Sequence, residues 1–126
     1  MVAREKKTNP ARYDVFNGDA DGICSLHQLR LAEPVPDAVL VTGVKRDIAL
    51  LERIRDAQNS LVTVLDISMH VNSESLHELL SRNNEVVYVD HHFAGDIPES
   101  PLLQAHIEPQ ADRCTALIVD ALLGGK

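Results

Sequence analysis

Three adjacent side chains in the second half of the chain have the chemistry of a metal site. Asp90, His91 and His92 come directly after the apolar run 86–89. Carboxylate and imidazole ligands suit Zn, Mn or Fe, and both groups are costly to bury without partners. Packing alone therefore does not explain the trio, which predicts that other parts of the chain supply further ligands.

Two earlier segments supply candidates for those ligands. The loop 17–22 carries Asp19 and Asp21 between two glycines, and Asp66 comes directly after the apolar run 61–65. Residues two apart in an extended segment point the same way, so that Asp19 and Asp21 can face one ligand. The glycines permit a tight turn and a close approach of the backbone to that ligand.

Several carboxylates in one place predict a pair of divalent cations. Clustered carboxylates repel one another and raise each other's pKa values, and bound cations remove that cost. Two neighbouring metal ions are a known arrangement for phosphoryl chemistry, where they polarise phosphate oxygens and activate a water for in-line attack. One carboxylate must bridge the two ions, and Asp66 is the choice because it comes from the middle of the set.

The elements that would position these residues alternate along the chain. Apolar runs predict strands, and stripes with helical spacing predict helices after most of them. The predicted strands are 13–16, 38–41, 61–65, 85–89 and 102–107, and the predicted helices are 23–32, 47–57, 72–82 and 112–123. This alternation predicts an α/β fold, a Rossmann-like three-layer domain with a mainly parallel sheet of about five strands.

A parallel sheet would bring the acidic residues together. The carboxyl ends of its strands lie at one edge, where ligands bind in open α/β sheets. Asp19, Asp66 and His91 each follow a different predicted strand. We therefore expect them to converge at that edge, although about seventy positions separate the first from the last.

Other residues are weaker candidates for contacts with a substrate phosphate. Lys45 and Arg46 follow the second predicted strand, and an exposed, solvated pair explains them equally well. Arg113 and Thr115 open the last predicted helix, whose free amide groups could bind an anion. Helix capping explains most of the same residues.

Composition limits the classes of function. The 126 residues fit one domain, with residues 1–12 as a polar, flexible lead and residues 13–126 as the folded part. The net charge of -7 argues against sequence-independent DNA binding by this domain alone. It does not exclude a phosphate-containing substrate, because bound metal ions invert the local charge.

The cysteines and the lengths of the apolar runs indicate the cellular compartment of the protein. Cys24 and Cys114 lie far apart and outside any CxxC pattern, which indicates a reducing compartment. The sequence has no apolar run near the length of a membrane span and no signal-peptide pattern. We therefore expect a cytoplasmic protein without a membrane partner; its oligomeric state stays open.

The motifs together resemble one known superfamily. Asn17-Gly18-Asp19-Ala20-Asp21-Gly22, Leu65-Asp66-Ile67-Ser68 and Asp90-His91-His92 occur in the order and spacing of the DHH phosphoesterase superfamily. This superfamily includes RecJ-like exonucleases, nanoRNase-type oligoribonucleases, cyclic-dinucleotide phosphodiesterases and family II inorganic pyrophosphatases. The similarity runs from about residue 13 to residue 123, and it is to the N-terminal catalytic domain of RecJ-like and nanoRNase-like proteins.

The resemblance implies a hydrolase of phosphoester or phosphoanhydride bonds that uses two Mn²⁺ ions, with Mg²⁺ as an alternative. It also implies a role for each motif residue. Asp19 would bind one metal ion, Asp21 and His91 would bind the other, and Asp66 would bridge the two. His92 would lie near the scissile phosphate, and Asp90 would support the two histidines. The segment 113–116 looks like the small-residue motif that follows DHH, where a helix start lies near the substrate.

Two features depart from the pattern of the superfamily. The first motif often begins with His or Asp, and here the matching residue is Asn17, whose neutral carbonyl oxygen is a weak metal ligand. The family usually adds a metal-binding Asp from a later strand and then a second, substrate-binding domain. The sequence stops at Lys126 before both, so we expect that it corresponds to the N-terminal part of a longer enzyme.

The expected function is metal-dependent hydrolysis of phosphodiester bonds in a nucleotide or a short single-stranded oligonucleotide. Two alternatives stay open. The chain could be an inert, truncated module that only binds a metal or a nucleotide, as Asn17 and the missing later ligand suggest. It could also belong to an inorganic pyrophosphatase-like hydrolase, whose substrate shares the same phosphate chemistry.

Overall fold

A computed structural model describes residues 11–43, 49–109 and 114–124. Within these ranges the chain forms five strands, three α-helices and one short 3₁₀ helix. The strands β1 to β5 are Arg12–Phe16, Val39–Val41, Leu61–Leu65, Glu85–Asp90 and Leu103–Ile107. The helices α1 to α3 are Ala20–Ala32, Ser73–Ser81 and Thr115–Leu122, and the 3₁₀ helix is Leu50–Ile54.

The five strands form one parallel sheet in the order β2-β1-β3-β4-β5. Each neighbouring pair is parallel, with Val15 opposite Val64 and Leu65 opposite Val89 in the centre. Aliphatic residues occupy the middle strands because both faces of a parallel sheet are covered. The α/β, Rossmann-like fold predicted from the sequence is confirmed. The strand order reverses between β1 and β3, where open α/β sheets bind ligands.

Apolar side chains cover the sheet on both faces. On one face, the 3₁₀ helix and α2 pack on the sheet through buried residues that include Leu51, Leu76 and Tyr88. On the other face, Ile118 and Val119 of α3 pack on the strands, with the half-buried Leu26 and Leu29 of α1 beside them. The sheet therefore lies between two layers of helix, and both layers help to fix the ends of its strands.

The start of α1 packs differently from the prediction. Ile23 is the first apolar residue of the predicted helix 23–32, and its apolar stripe predicts that it is buried. In the structure Ile23 is 51% exposed, whereas Gly22 and Ser25 are buried. A Cβ atom on Gly22 would lie 2.1 Å from the carbonyl oxygen of Asn17. The helix therefore begins in close contact with the loop that precedes it, and the buried face is set by that contact rather than by the apolar stripe.

Two other local predictions differ from the structure. A helix was predicted over 47–57, and residues 44–48 lie outside the described residues. The described part of this range contains only the five-residue 3₁₀ helix. Its apolar residues Leu51 and Ile54 are buried. The spacing of Ser75 and Glu78 predicts a capping box at the start of α2, but this cap does not form. The N-cap of α2 is Asn72, and its side-chain oxygen accepts a hydrogen bond from the amide of Leu51 at 3.2 Å.

Candidate metal centre

The chain turns sharply at Asp66, directly after β3. Asp66 has a φ angle of 64°, in the left-handed region, and is 1% exposed. Asp and Asn enter this region more readily than most residues. The amide of Asp66 donates to the carbonyl oxygen of Val89, at 3.0 Å, so the turn is anchored to β4.

The predicted ligands from three different loops lie close together. The Nε2 atom of His91 is 3.1 Å from Oδ1 of Asp66 and 3.6 Å from Oδ2 of Asp21. His91 follows β4, Asp66 follows β3, and Asp21 lies in the first turn of α1, after β1. The structure thus brings these ligands to one point at the carboxyl edge of the sheet.

Asp19 and Asn17 shape the loop between β1 and α1. Asp19 is the N-cap of α1, and its Oδ1 accepts from the amide of Gly22 at 3.0 Å. The Oδ1 atom of Asn17, the predicted weak ligand, accepts from the amide of Asp19 at 3.0 Å. Both side chains thus help to fold the loop, and each retains lone pairs for a cation.

The electrostatics of Asp66 match a cation site. Burial, together with the nearby carboxylates of Asp21 and Asp19, raises the pKa of its carboxyl group to about 8. A buried carboxylate beside like charges is stable only when it is protonated or when a cation is bound. A divalent ion would remove this repulsion.

Asp90 and His92 form a second unit of the site. The Oδ1 atom of Asp90 lies 2.7 Å from Nδ1 of His92. Asp90 is fully buried, and burial raises its pKa while the neighbouring His92 lowers it. A carboxylate in this position orients the imidazole ring and leaves its Nε2 atom for another partner. This geometry fits the supporting role predicted for Asp90.

The donor atoms fit a divalent ion. One ligand atom from each of Asp66, Asp90, His91 and His92 lies within 4.8 Å of the others. The second carboxylate oxygen of Asp90, Oδ2, is buried and has no hydrogen-bond partner among the described residues. Such an unpaired buried oxygen is costly unless it meets a proton or a cation. The mixture of carboxylate and imidazole suits Mn²⁺, Zn²⁺ or Fe²⁺.

Thr115 was predicted to contact a substrate phosphate, and in the structure it contacts the predicted metal ligands. It is completely buried, and its hydroxyl donates to Oδ1 of Asp66 at 3.1 Å. The amides of Thr115 and Ala116 donate to the two carboxylate oxygens of Asp21, at 3.1 Å and 2.9 Å. The start of α3 therefore holds two predicted metal ligands. The sequence signals for this contact were the free amide groups of a helix start and the resemblance of segment 113–116 to a motif that lies near the substrate.

Three basic residues were predicted from the sequence to contact a substrate phosphate. Lys45, Arg46 and Arg113 lie outside the described residues. Two clefts of about 540 and 580 Å³ lie elsewhere, one between the C-terminal ends of α1 and α3 and one beside β2. None of the predicted ligands that the structure describes lines either cleft.

Within the described residues, no helix is both long and apolar enough to cross a lipid bilayer.

Structural comparison finds clear relatives of this fold. The chain is similar to exonuclease RecJ bound to manganese, with 21% identity and a TM-score of 0.63 over 93% of this chain and 33% of that one. RecJ from Thermus thermophilus in complex with Mn²⁺ is 24% identical, with a TM-score of 0.58 over 95% of this chain and 18% of that one. An uncharacterized protein from Helicobacter pylori G27 is 17% identical, with a TM-score of 0.64 over 92% and 37%.

These similarities confirm at the level of fold the resemblance carried by the motifs. Over most of its length the chain has the same fold as part of the two solved RecJ chains. It spans about a third or less of the length of the RecJ chains that it matches. No protein-family model matches the sequence, and no curated protein matches it either.

Proposed function

We propose that this domain is a metal-dependent phosphoesterase that hydrolyses phosphodiester bonds of a nucleotide or a short single-stranded oligonucleotide. The observation that carries the proposal is the convergence of Asp21, Asp66 and His91 from three loops, with distances of 3.1 Å and 3.6 Å from the imidazole to the two carboxylates. Repulsion between the carboxylates makes such a cluster unfavourable unless a proton or a cation is bound, and a divalent ion would remove the repulsion.

The solved relatives favour manganese as the ion. Both RecJ structures were determined with manganese bound. We propose that Asp19, Asp21, Asp66 and His91 hold two Mn²⁺ ions here, with Asp66 between them, and that Mg²⁺ is an alternative. When bound, the ions would polarise a phosphate group and stabilise the charge that develops on it.

The other residues of the site would act on the substrate or on its position. His92 is 44% exposed at its side chain and is held by Asp90, so its second ring nitrogen is available to a phosphate oxygen. An imidazolium in that position would stabilise developing negative charge or donate a proton to the leaving oxygen. Lys45, Arg46 and Arg113 are proposed, from the sequence alone, as further phosphate contacts.

Hydrolysis of bis-p-nitrophenyl phosphate and of a short oligonucleotide, each with added Mn²⁺, tests the proposal. Asp66→Asn should abolish the manganese-dependent rate, because it removes the shared carboxylate while the left-handed turn is kept. The matched control is Asp56→Asn, at an exposed position beyond the 3₁₀ helix.

The outcomes separate the proposed function from its alternatives. Equal rates for the wild-type chain and the Asp66→Asn variant would refute the proposal. Turnover of pyrophosphate without turnover of either ester would favour the pyrophosphatase-like hydrolase. Binding of Mn²⁺ without hydrolysis of any of the three substrates would favour the inert module.

A further inference from the structure

The start of α3 joins two carboxylates that come from different parts of the fold. Asp21 belongs to α1 and Asp66 follows β3. The backbone amides of Thr115 and Ala116 bind the first carboxylate, and the Thr115 hydroxyl binds the second. We propose that Thr115 is a positioning residue that holds Asp21 and Asp66 at the spacing required to bind metal. This inference rests on the proposed function.

The helix start is already occupied by an anion of the chain itself. Free amide groups at a helix N-terminus favour a negatively charged group. Here the two amides each donate to a different oxygen of Asp21, at 3.1 Å and 2.9 Å. A substrate phosphate would therefore compete with Asp21 for these donors, which argues for positioning rather than for phosphate binding.

The hydroxyl of Thr115 is committed in the same way. A threonine hydroxyl has a single proton to donate. That proton lies toward Oδ1 of Asp66, at 3.1 Å, and Thr115 is completely buried. The same Asp66 oxygen lies 3.1 Å from Nε2 of His91. The hydroxyl thus fixes the carboxylate that contacts the imidazole ligand.

Packing of α3 makes this contact stiff. Ile118 and Val119, one turn after Thr115, are buried against the sheet beside Leu26 and Leu29 of α1. The position of Thr115 is therefore set by the core, and the two carboxylates are held relative to it. Groups that orient metal ligands in this way typically change metal affinity by about 10- to 100-fold when they are removed.

Calorimetric titration with Mn²⁺ tests the inference without relying on activity. Thr115→Val keeps the shape of the side chain and removes the hydroxyl, and we expect its affinity for Mn²⁺ to fall by about 10- to 100-fold. Thr115→Ser keeps the hydroxyl and should bind close to the wild-type level. Thr63→Val is the matched control, because it makes the same change in β3 at a hydroxyl that lies 3.4 Å from Arg30 rather than at the site.

Each result supports or overturns the inference. Loss of affinity in Thr115→Val, with recovery in Thr115→Ser, supports it. Wild-type affinity for Mn²⁺ in Thr115→Val overturns the positioning role and leaves the proposed function standing. A higher KM in Thr115→Val, with unchanged Mn²⁺ affinity, has the same consequence and would indicate a phosphate contact. Absence of Mn²⁺ binding in the wild-type chain overturns both. If Thr115→Val fails to fold by circular dichroism, Thr115→Ala is titrated in its place and read in the same way.

Discussion

At the scale of single residues, the site depends most on Asp66. This carboxylate is buried, lies in a left-handed turn and contacts both His91 and Thr115. Burial and two neighbouring carboxylates raise its pKa to about 8. In the metal-free protein it is therefore largely protonated at neutral pH, and binding of a cation must displace that proton.

The raised pKa predicts how stability depends on pH. The carboxyl group of Asp66 has an ordinary pKa of 3.8 and a pKa of about 8 in the folded protein. Between these values the folded state keeps a proton that the unfolded state has lost, so the free energy of unfolding should fall as pH rises. Above about pH 8 both states are ionised, and the fall should level off.

Urea unfolding with EDTA, at a series of pH values from about 4 to about 9, measures this effect. Asp66→Asn should reduce the fall in stability, because the amide does not titrate. Part of the fall should remain, because burial also raises the pKa of Asp90. An unchanged pH dependence in Asp66→Asn would contradict the assigned environment of Asp66.

The convergence of Asp21, Asp66 and His91 could be predicted from the sequence, whereas their hydrogen-bond partners could not. Acidic residues after apolar runs are visible as a pattern, and a parallel sheet requires their convergence. The contacts of Thr115 depend on where α3 is placed in three dimensions, which no spacing in the chain indicates. The ion pair between Asp14 and Arg30, at 2.6 Å, was not predicted for the same reason, since it joins the middle of β1 to the end of α1.

At the scale of elements, the contact between Asn17 and the first turn of α1 positions Asp19 and Asp21. Gly22 lies against the backbone of Asn17, where a Cβ atom would be 2.1 Å from the carbonyl oxygen. The apolar stripe of α1 predicted a helix but could not indicate this approach. Ile23 is exposed because the face of α1 that begins with Gly22 is turned toward the loop.

Gly22→Ala should therefore destabilise the protein even though alanine favours helices. Overpacking typically costs about 1–3 kcal/mol, and we expect the upper part of this range because the Cβ atom would meet a backbone oxygen at 2.1 Å. That cost exceeds the gain of about 1 kcal/mol in helix propensity. The displaced loop should also weaken the binding of Mn²⁺. Urea unfolding and calorimetry measure the two effects.

The control for this prediction is Cys24→Ala, two residues further along the same helix at an exposed position. It should leave both stability and Mn²⁺ binding close to the wild-type values. If Gly22→Ala were as stable as the wild-type chain, the close contact between Gly22 and Asn17 would not exist in solution.

At the scale of the whole molecule, bound metal ions would reconcile the acidic domain with a phosphate substrate. The net charge of -7 would repel a polyanion, whereas two divalent ions would give the sheet edge a local positive charge. The order β2-β1-β3-β4-β5 places the loops after β1, β3 and β4 next to one another, so the predicted ligands on these three loops can converge.

The most direct test of the proposed two-metal centre is electron paramagnetic resonance of the chain titrated with Mn²⁺. We expect an exchange-coupled signal from two neighbouring ions in the wild-type chain. The coupling should be lost in Asp66→Asn, because Asp66 is proposed to bridge the ions. Two results would contradict a two-metal centre bridged by Asp66. One is an uncoupled signal from the wild-type chain at all ratios of metal to protein. The other is the same coupled signal in the wild-type chain and in Asp66→Asn.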